Sequence, residues 1–277
     1  MLRIGSYDVV AAPSGTFGLD GGAMFGVVPR PLWERSHPPD ERNRIALAMR
    51  LLVLRSPERT WLVDVGIGDK FDRKHEDIYR VDALSADEAV RAAGVDPGTV
   101  TDVVLTHLHF DHAGGATRRD GSPAFPGARY HVQRRQLEWA RHATAKDRGS
   151  FREADFLPLY RDGRLNLLDG PGALAGGIEV VVCDGHTSGM QLVKVGDGER
   201  TLLYVADLVP TAAHLRLPYV MAYDNNPLQT LKEKQRILSQ AAEEGWILFL
   251  EHDPSCAACR VEQRRGGFTK GPEVQLT

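Results

Sequence analysis

The sequence contains few cysteines, since only Cys183, Cys256 and Cys259 occur among its 277 residues. A small, odd number of cysteines cannot form a disulfide framework, so we expect three free thiols and a reducing compartment. The sequence also lacks any run of about 18 apolar residues, which a membrane span requires, and its first residues lack the apolar stretch of a signal peptide. We therefore expect a cytoplasmic protein with no membrane partner.

Neither sign of charge is in large excess. The chain has 34 Lys and Arg against 37 Asp and Glu, a formal net charge of -3. This balance gives no electrostatic reason to expect a nucleic acid as partner, and a small-molecule substrate suits it at least as well. Fixed-period repeats and low-complexity tracts are lacking too. Because 277 residues suit one large α/β domain, we expect residues 1–277 to form a single domain.

The first half of the chain carries clear strand and helix signals. Two apolar segments, Ile45–Leu54 and Trp61–Val65, flank a Ser-Pro-Glu turn and predict a β-hairpin. Ser85 and Glu88 have the spacing of a capping box, which predicts a short helix. The segment Val100–Leu105 predicts a buried strand that runs directly into a histidine-rich loop.

The second half of the chain alternates strand-like and helix-like segments. Five further strand-like runs are separated by Gly, Asp or Pro signals: Ala128–Val132, Ile178–Cys183, Met190–Val195, Thr201–Ala206 and Trp246–Glu251. Asn226 as a cap and Pro227 at the first position predict the start of a helix. Helical spacing predicts that one face of it consists of Leu228, Leu231, Gln235, Leu238 and Ala242. Strands covered by helices indicate a layered α/β fold.

Residues 133–164, from Gln133 to Arg164, differ from the rest of the chain because they are rich in arginine and aromatic side chains. We expect a helical, lid-like excursion of the same domain rather than a second domain. The alternative is that its basic residues form an ordinary solvated helix face.

The histidine-rich loop is Thr106-His-Leu-His-Phe-Asp-His-Ala-Gly-Gly115, in which His107, His109, Asp111 and His112 lie within six residues. Burying that many imidazole and carboxylate groups is costly unless something compensates them, and a metal ion is the usual compensation. Because the loop contains no cysteine, it favours an open catalytic metal site over a closed structural zinc site.

This loop is similar to the His-x-His-x-Asp-His motif of the metallo-β-lactamase superfamily. The remaining ligands of that superfamily are a His, an Asp and a His at the ends of later strands. The chain offers His186, Asp207 and His252 in that order, so the resemblance covers roughly residues 45–253. It implies a four-layer αββα sandwich in which two mixed β-sheets are flanked by helices.

The resemblance also implies two divalent ions, with zinc as the expected metal and iron, manganese or cobalt as alternatives. The implied ligand sets are His107, His109 and His186 for one metal, Asp111, His112 and His252 for the other, and Asp207 between the two. A hydroxide that bridges the metals would be the nucleophile, and Asp111 would carry a proton to the leaving group.

Two other features are compatible with either a site role or a structural role. Asp64 corresponds to a superfamily Asp that orients the metal ligands through hydrogen bonds, although a turn-forming Asp is an equal alternative. Cys256 and Cys259 have metal-ligand spacing, but a second Cys or His pair is missing nearby, so a third metal or a redox role is weakly indicated.

The substrate is predicted from local resemblances. The run from His107 to Gly115 looks most like the N-acyl homoserine lactonases, which predicts hydrolysis of lactones and carboxylic esters. The run from Asp207 to Ala213 looks closer to the methyl parathion hydrolases, which predicts hydrolysis of organophosphate triesters or aryl esters instead. A third hypothesis is a non-catalytic, metal-binding effector protein, which the complete ligand set disfavours.

The substrate pocket is predicted with less support. The lactonases carry a Tyr three residues after the bridging Asp, where this chain has Pro210, so Tyr219 or Tyr223 would replace it unless both are packing residues. Lactonase N-terminal loops contribute to the pocket or to a dimer contact. The corresponding candidates for an apolar wall are Met24, Phe25 and Trp33, with core packing as the alternative and a homodimer as a compatible assembly.

Overall fold

Two β-sheets form the centre of the computed structural model, which describes residues 2–276. The first sheet is formed by the N-terminal strands: β1 (Leu2–Ile4), β2 (Tyr7–Asp20), β3 (Arg44–Arg55), β4 (Thr60–Val63), β5 (Asp82–Ala83), β6 (Val100–Val104), β7 (Arg129–Gln133) and β8 (Leu165–Leu168). Their order is β1-β2-β3-β4-β6-β7-β8, with β5 paired to β2. The predicted hairpin is confirmed as the antiparallel pair β3 and β4.

The second sheet is formed by the C-terminal strands: β9 (Gly172–Ala175), β10 (Ile178–Cys183), β11 (Met190–Gly196), β12 (Thr201–Tyr204), β13 (Ile247–Phe249), β14 (Ala258–Arg264) and β15 (Gly267–Glu273). Their order is β15-β14-β13-β12-β11-β10-β9. Both sheets are mixed, because β4, β6, β7 and β8 pair in parallel in the first sheet, as do β12 and β13 in the second.

Helices cover the outer faces of both sheets. They are α1 (Gly21–Phe25), α2 (Arg30–Trp33), α3 (Arg73–Tyr79), α4 (Ala86–Ala92), α5 (Phe110–Ala113), α6 (Arg134–Arg141), α7 (Glu153–Arg161) and α8 (Pro227–Glu243). The capping box of α4 is present. Helix α4 packs on β2 and β3 of the first sheet, whereas α8 packs on β14 of the second. No helix within residues 2–276 is both long and apolar enough to cross a membrane.

The apolar core has one layer between the sheets and another beneath the helices. Leu52 and Val104 of the first sheet share a buried cluster with Leu192 and Phe249 of the second. A separate cluster joins the opposite face of the first sheet to α4, α6 and α7. The layers therefore run helix, sheet, sheet, helix, as the resemblance implied.

The predicted buried face of α8 is wrong. Leu228 is 70 % exposed, and of the predicted face only Leu238 is fully buried. The residues that α8 buries are Thr230, Glu233, Lys234, Ile237, Leu238 and Ala241. Hydropathy missed this face because the buried charges are hydrogen-bonded. The Glu233 carboxylate accepts from the backbone N–H groups of Asp184 and Gly185, and Lys234 donates to backbone carbonyls.

The glycines that end the histidine-rich loop allow it to lie directly against the chain that follows β4. Gly115 donates its N–H to Gly66 O at 2.8 Å, and a Cβ at Gly115 would overlap the carbonyl oxygen of Val65. A glycine is required here by close approach rather than by backbone dihedrals.

We expect Gly115→Ala to lower the free energy of unfolding by about 1–3 kcal/mol or more, because the overlapping carbonyl belongs to backbone that is buried and cannot move freely. The measurement is urea unfolding at equal metal content. Gly176→Ala is the matched control, since a Cβ there meets nothing within 4 Å. Its free energy of unfolding should stay within about 0.5 kcal/mol of the parent, and equal losses in the two variants would contradict the packing argument.

Candidate metal centre

The predicted ligands lie together because four strands end at one edge of the two sheets. The loop with His107, His109, Asp111 and His112 follows β6, and the other three follow β10, β12 and β13. All seven side chains are buried, and the most exposed of them, Asp207, is 7 % exposed. The tertiary structure therefore brings together every residue that the sequence nominated as a metal ligand.

One group of donor atoms is formed by three imidazoles. His109 Nδ1 lies 3.1 Å from His107 Nε2 and 3.1 Å from His186 Nε2. Asp207 Oδ2 completes the group at 3.2 Å from His186 Nε2 and 4.0 Å from His107 Nε2. These four atoms face one common point.

A second group lies on the other side of Asp207. His112 Nε2 and His252 Nε2 are 3.1 Å apart. Asp111 Oδ2 lies 3.8 and 3.7 Å from these two nitrogens, and Asp207 Oδ1 lies 3.5 and 3.4 Å from them. Asp207 thus directs one carboxylate oxygen to each group, which is the position of a bridging ligand.

The outer nitrogens of four imidazoles have acceptors that fix the tautomers. His186 Nδ1 donates to Asp224 at 2.8 Å, His252 Nδ1 to the Ala48 carbonyl at 2.9 Å, and His112 Nδ1 to Asp64 at 3.0 Å. His107 Nδ1 lies 3.0 Å from the Thr106 hydroxyl, which itself donates to Asp64. With a proton on each Nδ1, each Nε2 presents a lone pair to the interior.

Converging lone pairs repel one another unless a cation lies between them. Nitrogen separations of 3.1 Å are close to the edge of about 3.3 Å that a tetrahedral ligand set has at zinc–nitrogen distances of 2.0–2.1 Å. Asp207 Oδ1 is also buried without a hydrogen-bond donor among the residues described. The residues present therefore fit two metal ions.

The surroundings act on the imidazoles in opposite directions. Burial and the neighbouring imidazoles lower the pKa of His107 and His109 well below the usual range, which keeps their lone pairs free at neutral pH. Burial also disfavours charge on His252, but Glu251 and Asp207 outweigh it and raise the pKa of His252 to about 9. Without cations, the carboxylates around His252 would therefore favour its protonated form.

Asp64 connects the loop to both sheets without lining the pocket. Its carboxylate accepts from the Thr106 N–H and hydroxyl, both at 2.7 Å, from His112 at 3.0 Å and from the Tyr204 hydroxyl at 3.2 Å. Its φ of 55° is a left-handed conformation that costs a non-glycine residue about 1–2 kcal/mol. These contacts are compatible with the orienting role that the resemblance implied.

Sequence reasoning missed two further carboxylates near the imidazoles. Asp224 holds His186, and Glu251 lies 3.0 Å from His112 Nδ1. Burial raises the pKa of Glu251 to about 7, against the lowering effect of His112. Glu251 directly precedes the predicted ligand His252, so its place in the sequence could have indicated it. Asp224 lies 38 residues from His186, and no local pattern in the sequence points to it.

A cavity of about 210 Å3 opens onto the donor atoms. Of the predicted pocket residues, Met24 and Tyr223 line it. The pocket residues that sequence reasoning missed are Leu19, Leu47, Tyr79, Phe110, Lys146, Gly149, Ser150 and Met221. They come from six separate stretches of the chain, so only the folded structure brings them together.

Phe25, Trp33 and Tyr219 do not line this cavity. Phe25 stacks on Trp33 with ring centroids 5.3 Å apart and on His214 at 4.8 Å. Tyr219 accepts a hydrogen bond from Arg216 at a different cavity. The prediction of these three as wall residues is therefore corrected: Phe25 and Trp33 pack in the core, and Tyr219 lines the other cavity.

The excursion at residues 133–164 contributes one wall through the loop between α6 and α7. Lys146 Nζ donates to the carbonyls of Tyr223 and Asp224 at 2.7 and 3.1 Å. The Asp147 carboxylate accepts from Trp139 Nε1 and Asn225 Nδ2, both at 2.7 Å. These bonds attach the excursion to the segment that carries the acceptor of His186.

The three cysteines are buried free thiols. Within residues 2–276, every cluster of side chains able to hold a metal consists of His, Asp and Glu only. Cys256 and Cys259 therefore lie outside the metal centre.

Comparison with known proteins defines the class to which this fold and site belong. Residues 51–252 match the model of the metallo-β-lactamase superfamily. The chain belongs to this superfamily, and with its buried His/Asp cluster it is a metal-dependent hydrolase of that superfamily.

Two curated relatives are similar at the level of sequence. A probable metallo-hydrolase of Mycobacterium bovis is 25 % identical over 274 residues, which cover 84 % of this chain and 85 % of the relative. The N-acyl homoserine lactonase AttM of Azorhizobium caulinodans is 29 % identical over 182 residues, which cover 60 % of this chain and 62 % of the relative.

Two solved structures share the whole fold. A probable metal-dependent hydrolase from Staphylococcus aureus has a TM-score of 0.89 at 25 % identity, with 99 % of this chain and 100 % of that one covered. AidC, a dizinc quorum-quenching lactonase in complex with its product, has a TM-score of 0.84 at 18 % identity, with 100 and 97 % covered. The second likeness concerns the fold alone.

We expect Asp224→Ala to weaken zinc binding by about 10–100-fold, because His186 would lose the acceptor that fixes its tautomer and ring orientation. The measurement is competition for zinc with a chelating indicator. Asp102→Ala is the matched control, because Asp102 forms a similarly buried carboxylate–imidazole pair with His131 at 2.9 Å, away from the metal centre. If both variants kept the parent affinity, the proposed orienting role of Asp224 would be wrong.

Proposed function

We propose that the protein is a dinuclear metal-dependent hydrolase of lactones and related carboxylic esters, of the N-acyl homoserine lactonase type. The observation that carries this proposal is the position of Asp207 between the two donor groups, at a cavity that is also lined by Leu19, Met24, Leu47, Phe110 and Met221. Such a cavity suits an uncharged substrate with an acyl chain. The similarity to lactonase AttM supports the same substrate class.

The two donor groups support one assignment of the ligands. His107, His109 and His186 would hold one metal, Asp111, His112 and His252 the other, and Asp207 both. When bound, two divalent ions, for which we propose zinc, supply Lewis acidity that activates water at neutral pH and polarises the scissile carbonyl.

The protein's own groups would position and protonate the substrate. Asp111 lines the cavity and lies 3.7 Å from His252, where its carboxylate can take up a proton and pass it to the leaving alkoxide. Tyr223 lines the same cavity, and burial raises the pKa of its phenol, which stays protonated and can donate to the substrate carbonyl. Tyr223 would thereby replace the lactonase tyrosine, whose position is occupied by Pro210 in this chain.

The apolar side chains of the cavity would select the acyl portion. Leu19, Met24 and Leu47 line this cavity. Lys146 lines it too, but its ammonium is already hydrogen-bonded to backbone carbonyls. Each methylene removed from water contributes about 0.8 kcal/mol. We therefore propose that acylated lactones are better substrates than the bare lactone ring.

We expect the zinc-loaded protein to open the ring of N-hexanoyl homoserine lactone, and His109→Ala to reduce kcat/KM by at least about 100-fold, because one metal would lose a ligand. The measurement is pH-stat titration of the released carboxylic acid, before and after chelation. His142→Ala, at an exposed histidine that lines no part of the cavity, is the control and should keep the parent rate. A loaded, folded enzyme inert on every lactone would refute the lactonase assignment.

We expect Tyr223→Phe to lower kcat by roughly 100-fold with a smaller change in KM, because a donor to the developing oxyanion acts mainly in the transition state. Steady-state kinetics on the same lactone provide the measurement. Tyr160→Phe is the control, since Tyr160 is 41 % exposed and outside the cavity. Unchanged kcat in Tyr223→Phe would assign the phenol to packing.

The second candidate is hydrolysis of organophosphate triesters or aryl esters. The segment Asp207-Leu-Val-Pro-Thr-Ala-Ala213, which resembles the methyl parathion hydrolases, favours it. The same two-metal arrangement would accept a phosphoryl oxygen in place of a carbonyl oxygen. Turnover of paraoxon or phenyl acetate without turnover of any lactone would favour this candidate over the first.

A further inference from the structure

A second cavity lies away from the metal centre and shares none of its lining residues. Its volume is about 460 Å3, within the range of roughly 300–1,000 Å3 that small-molecule sites occupy. Residues 32–37, 212–219, 253–255 and 268–270 contribute to its walls. The proposed hydrolase makes no use of this cavity.

The walls carry positive charge that lacks carboxylate partners. Within residues 2–276, neither Arg35 nor Arg216 has a carboxylate oxygen within 4.0 Å, whereas Lys270 pairs with Glu273 at 2.7 Å. Arg216 is held at the wall by Tyr219, to whose hydroxyl it donates at 3.1 Å and over whose ring it lies at 5.4 Å. Two guanidinium groups, each able to form a bidentate pair with an anion, are thus available.

Asp253, which is the carboxylate on the cavity wall, is already satisfied by the backbone. Its Oδ2 accepts from Ala212 N at 2.8 Å, and its Oδ1 accepts from the N–H groups of Ser255 and Cys256 at 2.9 and 2.8 Å. Within residues 2–276, Asp253 forms no ion pair with Arg35 or Arg216, so both guanidinium groups remain available to a ligand.

Apolar surface accompanies the positive charge. Leu32 and Phe268 line the cavity together with the Tyr219 ring. Leu32 is 50 % exposed. The cavity thus offers one charged and one apolar surface to the same ligand.

We propose that this cavity binds a small organic anion, with its carboxylate or phosphate group on Arg35 and Arg216 and its apolar part against Leu32 and Phe268. The ligand class follows from unpaired guanidinium groups beside apolar side chains. The inference is independent of the proposed hydrolase activity, because it involves no metal ligand.

The test is isothermal titration of the zinc-loaded full chain with three probes: octanoate, phenyl phosphate and inorganic phosphate. At least one organic anion should bind roughly tenfold tighter than inorganic phosphate, because the apolar part adds burial. If octanoate binds more tightly, the anionic group of the ligand is a carboxylate. If phenyl phosphate binds more tightly, it is a phosphate ester. Binding should weaken as salt concentration rises.

Variants separate this cavity from the metal centre, which can also attract anions. The double variant Arg35→Gln/Arg216→Gln should lose at least about 10-fold in affinity, since a hydrogen bond to a charged group contributes at least that much. Arg161→Gln/Arg265→Gln, at exposed arginines without ion pairs outside the cavity, is the matched control. Binding should persist in His109→Ala, whose folding is checked by circular dichroism.

Three results would overturn the proposal. The first is that binding is lost in His109→Ala but retained in Arg35→Gln/Arg216→Gln. The second is that inorganic phosphate binds as tightly as both organic anions. The third is that no probe gives a heat of binding at millimolar concentration. Loss of lactone turnover alone bears on the hydrolase and not on this cavity.

Discussion

The arrangement of the site depends on the repulsion among imidazole lone pairs that point at one another inside the protein. Four outer nitrogens have acceptors, so the neutral imidazoles carry their protons on Nδ1 and their inner nitrogens converge as lone pairs, which only cations or added protons can offset. The Asp207 carboxylate, which faces both groups, adds negative charge to these lone pairs, and its Oδ1 lacks a hydrogen-bond donor among the residues described. The folded chain is therefore built to hold cations, and its outer hydrogen bonds keep the imidazoles oriented for them.

Two residues next to the metal centre have strained backbone conformations that help to position the ligands. Asp64 with φ of 55° and Ala206 with φ of 44° adopt left-handed conformations that non-glycine residues avoid. The first aims a carboxylate at the histidine loop, and the second turns the chain after β12 so that Asp207 enters the centre. Hydrogen bonds from Thr106, His112 and Tyr204 fix Asp64, so the surrounding structure compensates the strain there.

Charged side chains that are not metal-ligand candidates secure the loop that carries His186. Glu233 of α8 binds the N–H groups of the two residues before His186, and Thr230 occupies the space that a side chain at Gly185 would need. Lys146 and Asp147 attach the excursion to Tyr223, Asp224 and Asn225 on the other side of the same loop. The position of His186 thus depends on α8 and on the excursion together.

The sequence by itself determined the layered fold and nominated the seven candidate metal ligands. Both depend on local patterns: a dense His/Asp motif after a strand, and strand signals whose ends carry the other ligands. Only the tertiary structure decided the buried face of α8, the roles of Asp224 and Glu251, and the exclusion of Phe25, Trp33 and Tyr219 from the cavity. Hydropathy measures side chains one at a time, whereas Glu233 and Lys234 are buried because distant backbone groups satisfy them. Likewise, the walls of a cavity come from segments that meet only when the two sheets pack, so no spacing along the chain encodes them.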